Sequence, residues 1–504
     1  MSLPSPLSNI RLNRRVITVT VLSVFLLSLL ASFHSSVRSR IPLSFTDSSS
    51  SSSSPTDLID DPILDEDDKD WTGGVLRTTP PKYEAWTEAE RNLPQHNPDL
   101  PYPEGRKGRY VKFSNQIKAL GWNNVFNEIL LCNHLAWRSG RGYVFQDYVW
   151  KPEYYPWRIK SWPWPHTPLS ALISGPISGS PWDQNDTTPR SISEEMFDKF
   201  CPEEDTEIVD TDVVKEGIRG DETDGRVIME KWVKVLKESP KRCVDVRPSL
   251  SGKDGYPQTF DLWLIGSERL ISLWPEFSSS PVSKRLYSSP LVSAGVAYNE
   301  HLLQSPSPSP NPYSHTIAIH LRRGDYSEAC LGLANWNSTF YGWNLLPQLP
   351  DKFVNPEGYE WGHNTPENVK FYLSRCLPST EYLVEKIKTS IKEWESNASG
   401  SLGDTLSDRT GRIDRMYVMT NDASEASMRE FREAVMKETG IKSVVTTGDV
   451  RFENDEQIGV GMVIDMDIGR RAEIFIGNGW SSLTSNVVHR RLVDGKEWMA
   501  NRFW

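Results

Sequence analysis

A chain of 504 residues, 38% hydrophobic and 24% charged, is long enough for two globular domains and apolar enough to fill their cores. Its formal net charge of -11 leaves no broad basic face to neutralise a phosphate backbone, which excludes a nucleic-acid scaffold. A single anionic ligand in a local basic pocket stays compatible with that balance.

Arg11, Arg14 and Arg15 close a 1–15 segment that precedes Val16 to Phe33, an uncharged run. At about 1.5 Å per residue this run spans a bilayer as a helix. Positive charge before it predicts a cytoplasmic tail over 1–15 and a transmembrane signal-anchor over 16–33; a cleaved signal peptide is the alternative. Either way the bulk of the chain is expected to be lumenal, as a single-pass type II membrane protein of the Golgi or endoplasmic reticulum. The sequons at Asn185, Asn337 and Asn397 agree with that compartment. Ser48 to Ser54 and the acidic stretch Asp60 to Asp68 bury too little apolar area to order themselves, so 34–104 reads as a flexible stalk.

Folded structure is expected near Arg109. Arg109–Phe113 alternates as a strand, Val125–Arg138 has helical periodicity, and Gly142–Phe145 reads as the next strand, giving a Rossmann-like first domain over 105–304. Val149 to Trp182 is rich in tryptophan, tyrosine and proline, and reads either as a packed irregular loop or as an aromatic wall for an acceptor. The run SPSPSPNP over 305–312 is a linker. Beyond it, 313–504 alternates again. Strands are expected at His315–Leu321, Arg415–Thr420, Lys442–Thr447 and Glu473–Gly477. Helices are expected at Glu381–Trp394, Ala423–Thr439, Ile458–Arg471 and Ser482–Leu492. The fold class is therefore α/β with parallel sheets covered on both faces. Cys132, Cys201, Cys243, Cys330 and Cys376 contain no C-x-x-C pair. They can form two disulfides with one thiol over, or serve as small buried hydrophobes; the pairing stays open.

Ligands on open parallel sheets bind at the carboxyl ends of strands. His320-Leu-Arg-Arg-Gly-Asp-Tyr326 ends one strand by delivering two guanidinium forks and an acid into such a crevice. Phe475-Ile-Gly-Asn-Gly-Trp-Ser-Ser-Leu-Thr-Ser485 ends another, with Ser481 and Ser482 where a helix should start, an anion seat or a plain serine cap. Upstream lies Gly121-Trp-Asn-Asn-Val-Phe-Asn-Glu128, and between them Val418-Met-Thr-Asn-Asp422.

These four segments, in this order over about three quarters of the chain, resemble the GDP-fucose-dependent fucosyltransferases of the protein O-fucosyltransferase and α1,6-fucosyltransferase superfamily. Leu483 stands where that family usually has an aromatic residue, and Val125 where it has glutamine. The resemblance implies a GT-B-like fold of two Rossmann-like domains, inversion at fucose C1, GDP-fucose as donor and no required metal or cofactor. It implies that Arg322 contacts the β-phosphate and glycosidic oxygen and stabilises departing GDP. His320, Arg323 and Asp325 would shape the donor pocket, Asp465 would lie near the guanosine end, and Ser481, Ser482, Leu483 and Thr484 would seat the pyrophosphate. Asn124 would position donor and acceptor, and Glu128 is the candidate general base. The acceptor is expected to be a hydroxyl of a secretory-pathway protein or glycan. Three other readings stand beside this one. A metal-dependent glycosyltransferase could use Asp465-Met-Asp467 or Asp210-Thr-Asp212; a membrane-tethered lectin or scaffold could have lost catalysis; another nucleotide sugar could be the donor.

Overall fold

The computed structural model describes residues 80–504 apart from 152–156, 158–163, 221, 251–255, 306–310, 325, 357–361, 363, 401–411 and 423. The expected tail, anchor and early stalk, most of the 305–312 linker, Trp162 and Asp325 fall outside the described residues. Among the described residues no helix is long and apolar enough to cross a membrane.

Order begins earlier than Arg109. Helix α1 (Glu84–Arg91) falls inside the stretch expected to be stalk, and its contacts are long-range. The Trp86 indole donates to Glu456 at 3.0 Å, and Glu90 accepts from the Ser170 amide at 2.9 Å. Tyr83 is buried beside them. This corner is a short, charged helix held by partners 80 to 370 residues away, which is why composition alone assigned it to the stalk.

Two five-stranded sheets follow, each wholly parallel. The first contains β1 (Tyr110–Phe113), β2 (Gly142–Phe145), β3 (Ile192–Ser193), β4 (Thr206–Asp210) and β5 (Cys243–Arg247), in the order β3-β2-β1-β5-β4. The long helix α2 (Trp122–Arg138) connects β1 to β2 and is buried along most of its length, as expected of a crossover packed against its sheet. The second sheet contains β6 (Thr316–Leu321), β7 (Arg415–Thr420), β8 (Ser443–Thr446), β9 (Ile474–Gly477) and β10 (Asn501–Phe503), in the order β8-β7-β6-β9-β10. That is the 3-2-1-4-5 order of a doubly wound α/β sheet, whose strand order reverses between β6 and β9.

Alternation along β6 sorts its side chains between two cores. Ile317, Ile319 and Leu321 pack with Leu383, Ile387 and Trp394 of helix α3 (Thr380–Gly400). Ala318 joins the main apolar cluster, which runs from Val111 and Phe113 of the first sheet to Tyr417, Phe475 and Phe503 of the second. Within the aromatic stretch Trp157 and Trp182 are buried, the Trp182 indole donating to the Pro189 carbonyl at 3.0 Å, while Trp150 and Trp164 are half-buried. The helix expected over 458–471 is broken in two, Asp455–Gly459 and α4 (Gly461–Arg471). A Cβ on Gly459 would sit 2.0 Å from the Tyr83 hydroxyl, so the break is where the amino-terminal segment packs. Cys201 pairs with Cys243, Cys330 pairs with Cys376, and Cys132 remains a buried thiol.

Candidate active site

The point of strand reversal between β6 and β9 is where both sequence motifs converge. β6 is buried over its whole length, so the first residues able to reach solvent at its carboxyl end are Arg322 and Arg323. The Arg322 guanidinium lies 5.1 Å over the ring of Tyr326, the first residue of helix α5 (Tyr326–Asn335). Gly324 turns the chain with φ +64°, a conformation that favours glycine. The Arg323 guanidinium donates to the Pro378 carbonyl at 2.5 Å, so its charge is directed to the segment before α3.

His320, 5% exposed, crosses the reversal point: its Nδ1 is 3.0 Å from the Thr484 hydroxyl. Burial, with the positive Arg322 nearby, lowers its pKa to about 3, so the ring stays neutral at physiological pH. On the other side, β9 ends in Gly477, followed by Asn478 and by Ser481 as the N-cap of helix α6 (Ser482–Val493). The Ser481 hydroxyl accepts from the Leu483 amide at 3.2 Å. A Cβ on Gly477 would meet Thr484 at 2.3 Å, so only glycine lets the helix start pack so tightly on the strand end. Ser482 and Leu483 keep part of their surface open, whereas Ser481 and Thr484 are buried. The positive end of a twelve-residue helix dipole and the Arg322 guanidinium therefore stand at the carboxyl ends of the neighbouring strands β9 and β6, an arrangement suited to an anion.

Asp465 sits on α4, where its carboxylate accepts from the Tyr417 hydroxyl and from the Thr447 hydroxyl, the latter at 2.9 Å. Enclosure pushes its pKa up to about 7, against those two hydrogen bonds. Asp467, two residues on, points to different partners, the guanidiniums of Arg470 and Arg471 at 2.7 and 2.9 Å. Residues two apart on a helix do not share a face, so these two carboxylates do not converge as a D-x-D metal site would require. Among the described residues no group of three or more histidine, cysteine, aspartate or glutamate side chains is gathered to hold a metal.

The amino-terminal motif reaches the same region through α2. Asn486, one turn beyond Ser482 on α6, donates to both the carbonyl and the side-chain oxygen of Asn123 at 3.0 Å. Asn124 is next in chain and partly exposed. Glu128 turns the other way, into the core of the first half. It is 1% exposed, and its Oε2 accepts from the Ile117 amide at 2.6 Å. Its Oε1 is buried with no hydrogen-bond partner among the described residues. Burial pushes its pKa up to about 8, so the carboxyl holds a proton at neutral pH. Because this folded-state pKa lies above the ordinary 4.5, the unfolded chain ionises first and stability falls as pH rises from about 4.5 to 8. Glu128→Gln keeps an acceptor for Ile117 and removes that titration. Urea denaturation is expected to show equal stability near pH 4 and a variant more stable on the order of 2–4 kcal/mol at pH 8.

The structure thus brings His320, Arg322, Ser481, Ser482, Leu483 and Thr484 to the reversal point, with Asn124 one residue from a contact to the same helix. It places Asp465 at the β7–β8 side, Arg323 against Pro378, and Glu128 beneath the loop after β1. Asn123, Tyr417, Asn421, Thr447 and Asn486 join the site's framework without having been singled out. Their signal was position alone: Asn421 is the fourth residue of the Val418–Asp422 strand-end motif, and Asn486 stands four residues after the serine pair.

No family model matches the chain, and no curated protein matches it in sequence. Solved structures do align with it. POFUT1 in complex with GDP-fucose aligns at 15% identity with a TM-score of 0.42, covering 79% of this chain and 97% of that one. An Arabidopsis thaliana FUT1 mutant in complex with GDP aligns at 13% identity and TM-score 0.33, covering 82% of this chain and 73% of that one. The NodZ α-1,6-fucosyltransferase soaked with GDP-fucose aligns at 10% identity and TM-score 0.34, covering 76% and 92%. Overlaps this loose leave the functional reading to the residues of this chain.

Proposed function

We propose that this chain is an inverting, metal-independent fucosyltransferase of GT-B-like, two-Rossmann build. It would transfer fucose from GDP-fucose to a hydroxyl of a secretory-pathway protein or glycan. The observation that carries the reading is the convergence of Arg322 and the Ser481-capped helix start on the strand reversal between β6 and β9. The choice of GDP-fucose rests on the four ordered sequence motifs. The domain boundary in 305–312, the anchor over 16–33 and the lumenal location belong to the same proposal; two disulfides suit an oxidising compartment.

In this mechanism the acceptor oxygen attacks fucose C1 as the bond from C1 to the β-phosphate oxygen breaks, and that electron pair leaves with GDP. Configuration at C1 inverts. Arg322 takes up the charge growing on the leaving diphosphate through its planar fork, and the amino-terminal end of α6 faces the same charge. The acceptor proton passes to Glu128, whose Oε1 is the available atom. Since that carboxyl lies beneath the loop after β1, the loop has to open for the hydroxyl to arrive. A base with a pKa of about 8 is ionised only at high pH, so kcat should rise with pH up to about 8. Glu128→Gln should then lose ~10²–10⁴ in kcat and the pH rise with it. A variant that keeps the parent rate would assign Glu128 to holding the Ile117 loop instead.

The reading is tested by incubating the purified full chain with GDP-fucose and secretory glycoproteins while GDP release is followed. The anomeric configuration of the product is then determined. Product with the anomer opposite to the donor's supports inversion; retention, or no release above the rate without protein, contradicts the proposal.

A further inference from the structure

β7 runs parallel to β6, and the ladder ends with Leu321 opposite Thr420. One residue later a side chain takes over from the backbone. The Asn421 Oδ1 accepts from the Arg323 amide at 3.0 Å, and its Nδ2 donates to the Arg323 carbonyl at 3.1 Å. One amide group therefore pairs with both hydrogen-bonding groups of a single residue, as a further rung of the sheet would. Arg322 is held between the last true rung and this substitute.

Asn421 is in turn fixed from its own side. The Thr420 amide donates to the Thr447 hydroxyl at 3.0 Å, and the Thr420 hydroxyl accepts from the Asp422 amide at 3.0 Å. Asp422 accepts from the Ser424 amide at 2.9 Å and the Ser427 hydroxyl at 3.0 Å, tying the turn to the start of helix Glu425–Thr439. Beyond the clamp, Gly324 turns the chain away with positive φ, and the Arg323 side chain is anchored at Pro378. The backbone on the carboxyl side of Arg322 is thereby fixed at three points.

We propose that Asn421 is a positioning residue: it sets the direction of Arg322 without touching donor or acceptor. The inference rests on the role given above to Arg322. Both ends of the Asn421 amide are needed, because a carboxylate in its place would still accept from the Arg323 amide but would set an oxygen against the Arg323 carbonyl. Aspartate should therefore fail nearly as badly as alanine.

The test uses the full chain, Asn421→Ala and Asn421→Asp, with three measurements: GDP release from GDP-fucose, amide hydrogen exchange of the 321–326 segment, and thermal melting. Because misplacing a transition-state group acts on the chemical step, kcat should fall ~10–100-fold in both variants with KM for GDP-fucose within about threefold. Exchange should accelerate in 321–326 and not across the chain, and the melting temperature should hold within about 3 °C. Faster exchange with kcat within about twofold of the parent would overturn the positioning role. So would a rate loss accompanied by chain-wide exchange and a lower melting temperature, which would make Asn421 merely structural. If the parent chain itself releases no GDP, the transfer reading fails on that result, and unchanged exchange at 321–326 in the variants would separately remove the clamp.

Discussion

Arg322→Ala is expected to lower kcat for fucosyl transfer by ~10²–10³, the cost of removing a donor aimed at transition-state charge from a preorganised site. The side chain leaves the end of a strand buried on both faces, stacks over Tyr326, and sits across the β6–β9 reversal from the helix start at Ser481. A diphosphate leaving group gains charge in the transition state, so the loss should appear in kcat more than in KM. Arg322→Lys should recover little of it. An ammonium restores the charge but lacks the planar fork that can hold two oxygens at once. GDP-release kinetics for the two variants, with melting curves as a control for folding, measure this directly. A lysine variant as fast as the parent would show that charge alone suffices and that the fork has no role.

The second large effect is on stability. Arg491 is fully buried near the carboxyl end of α6, nine residues after Ser482 and two before the helix ends at Val493. Its guanidinium donates to the Asn501 side chain at 2.6 Å and to the carbonyls of Gly469, Arg470, Ala472, Glu473 and Ala500. One side chain thus satisfies the carboxyl end of α4 and the approach to β9, and reaches across to β10. Burial lowers its pKa to about 9, which still leaves it charged at neutral pH. Arg491→Met fits the space but strands those acceptors without donors, each worth about 1–3 kcal/mol when buried. A total loss of more than about 5 kcal/mol is expected by urea denaturation, enough to unfold many domains of this kind. Lys442→Ala serves as the contrast, since its exposed ammonium pairs with Asp414 at 3.3 Å and should cost less than about 1 kcal/mol.

What the sequence disclosed follows from the range of the interactions. Four strands of the second sheet were legible because they are largely apolar runs and the helices between them carry their own periodicity: Arg415–Thr420 was read to the residue, and β6, β8 and β9 within one, whereas β10, three residues long and two of them polar, was missed. The strand ends at Arg322 and Ser481 were legible for the same reason, since the apolar run stops where the chemistry begins. Contacts between distant segments were not. Nothing local announces that Tyr83 packs on Gly459 and divides a helix, that Cys201 pairs with Cys243, or that Glu128 spends one oxygen on Ile117. Glu128 is the clearest case: four residues after an Asn-Asn pair, it reads as an acid facing solvent, yet the fold rotates it under the preceding loop, which has to open before an acceptor reaches it.

The most direct test of the account is calorimetric titration of the full chain, in detergent and EDTA, with GDP, GDP-fucose, GDP-mannose and UDP-galactose, repeated with Arg322→Ala. The account predicts micromolar, guanine-selective binding without metal that weakens sharply in the variant. A folded chain that binds no guanine nucleotide, or binds one equally well without Arg322, would contradict it.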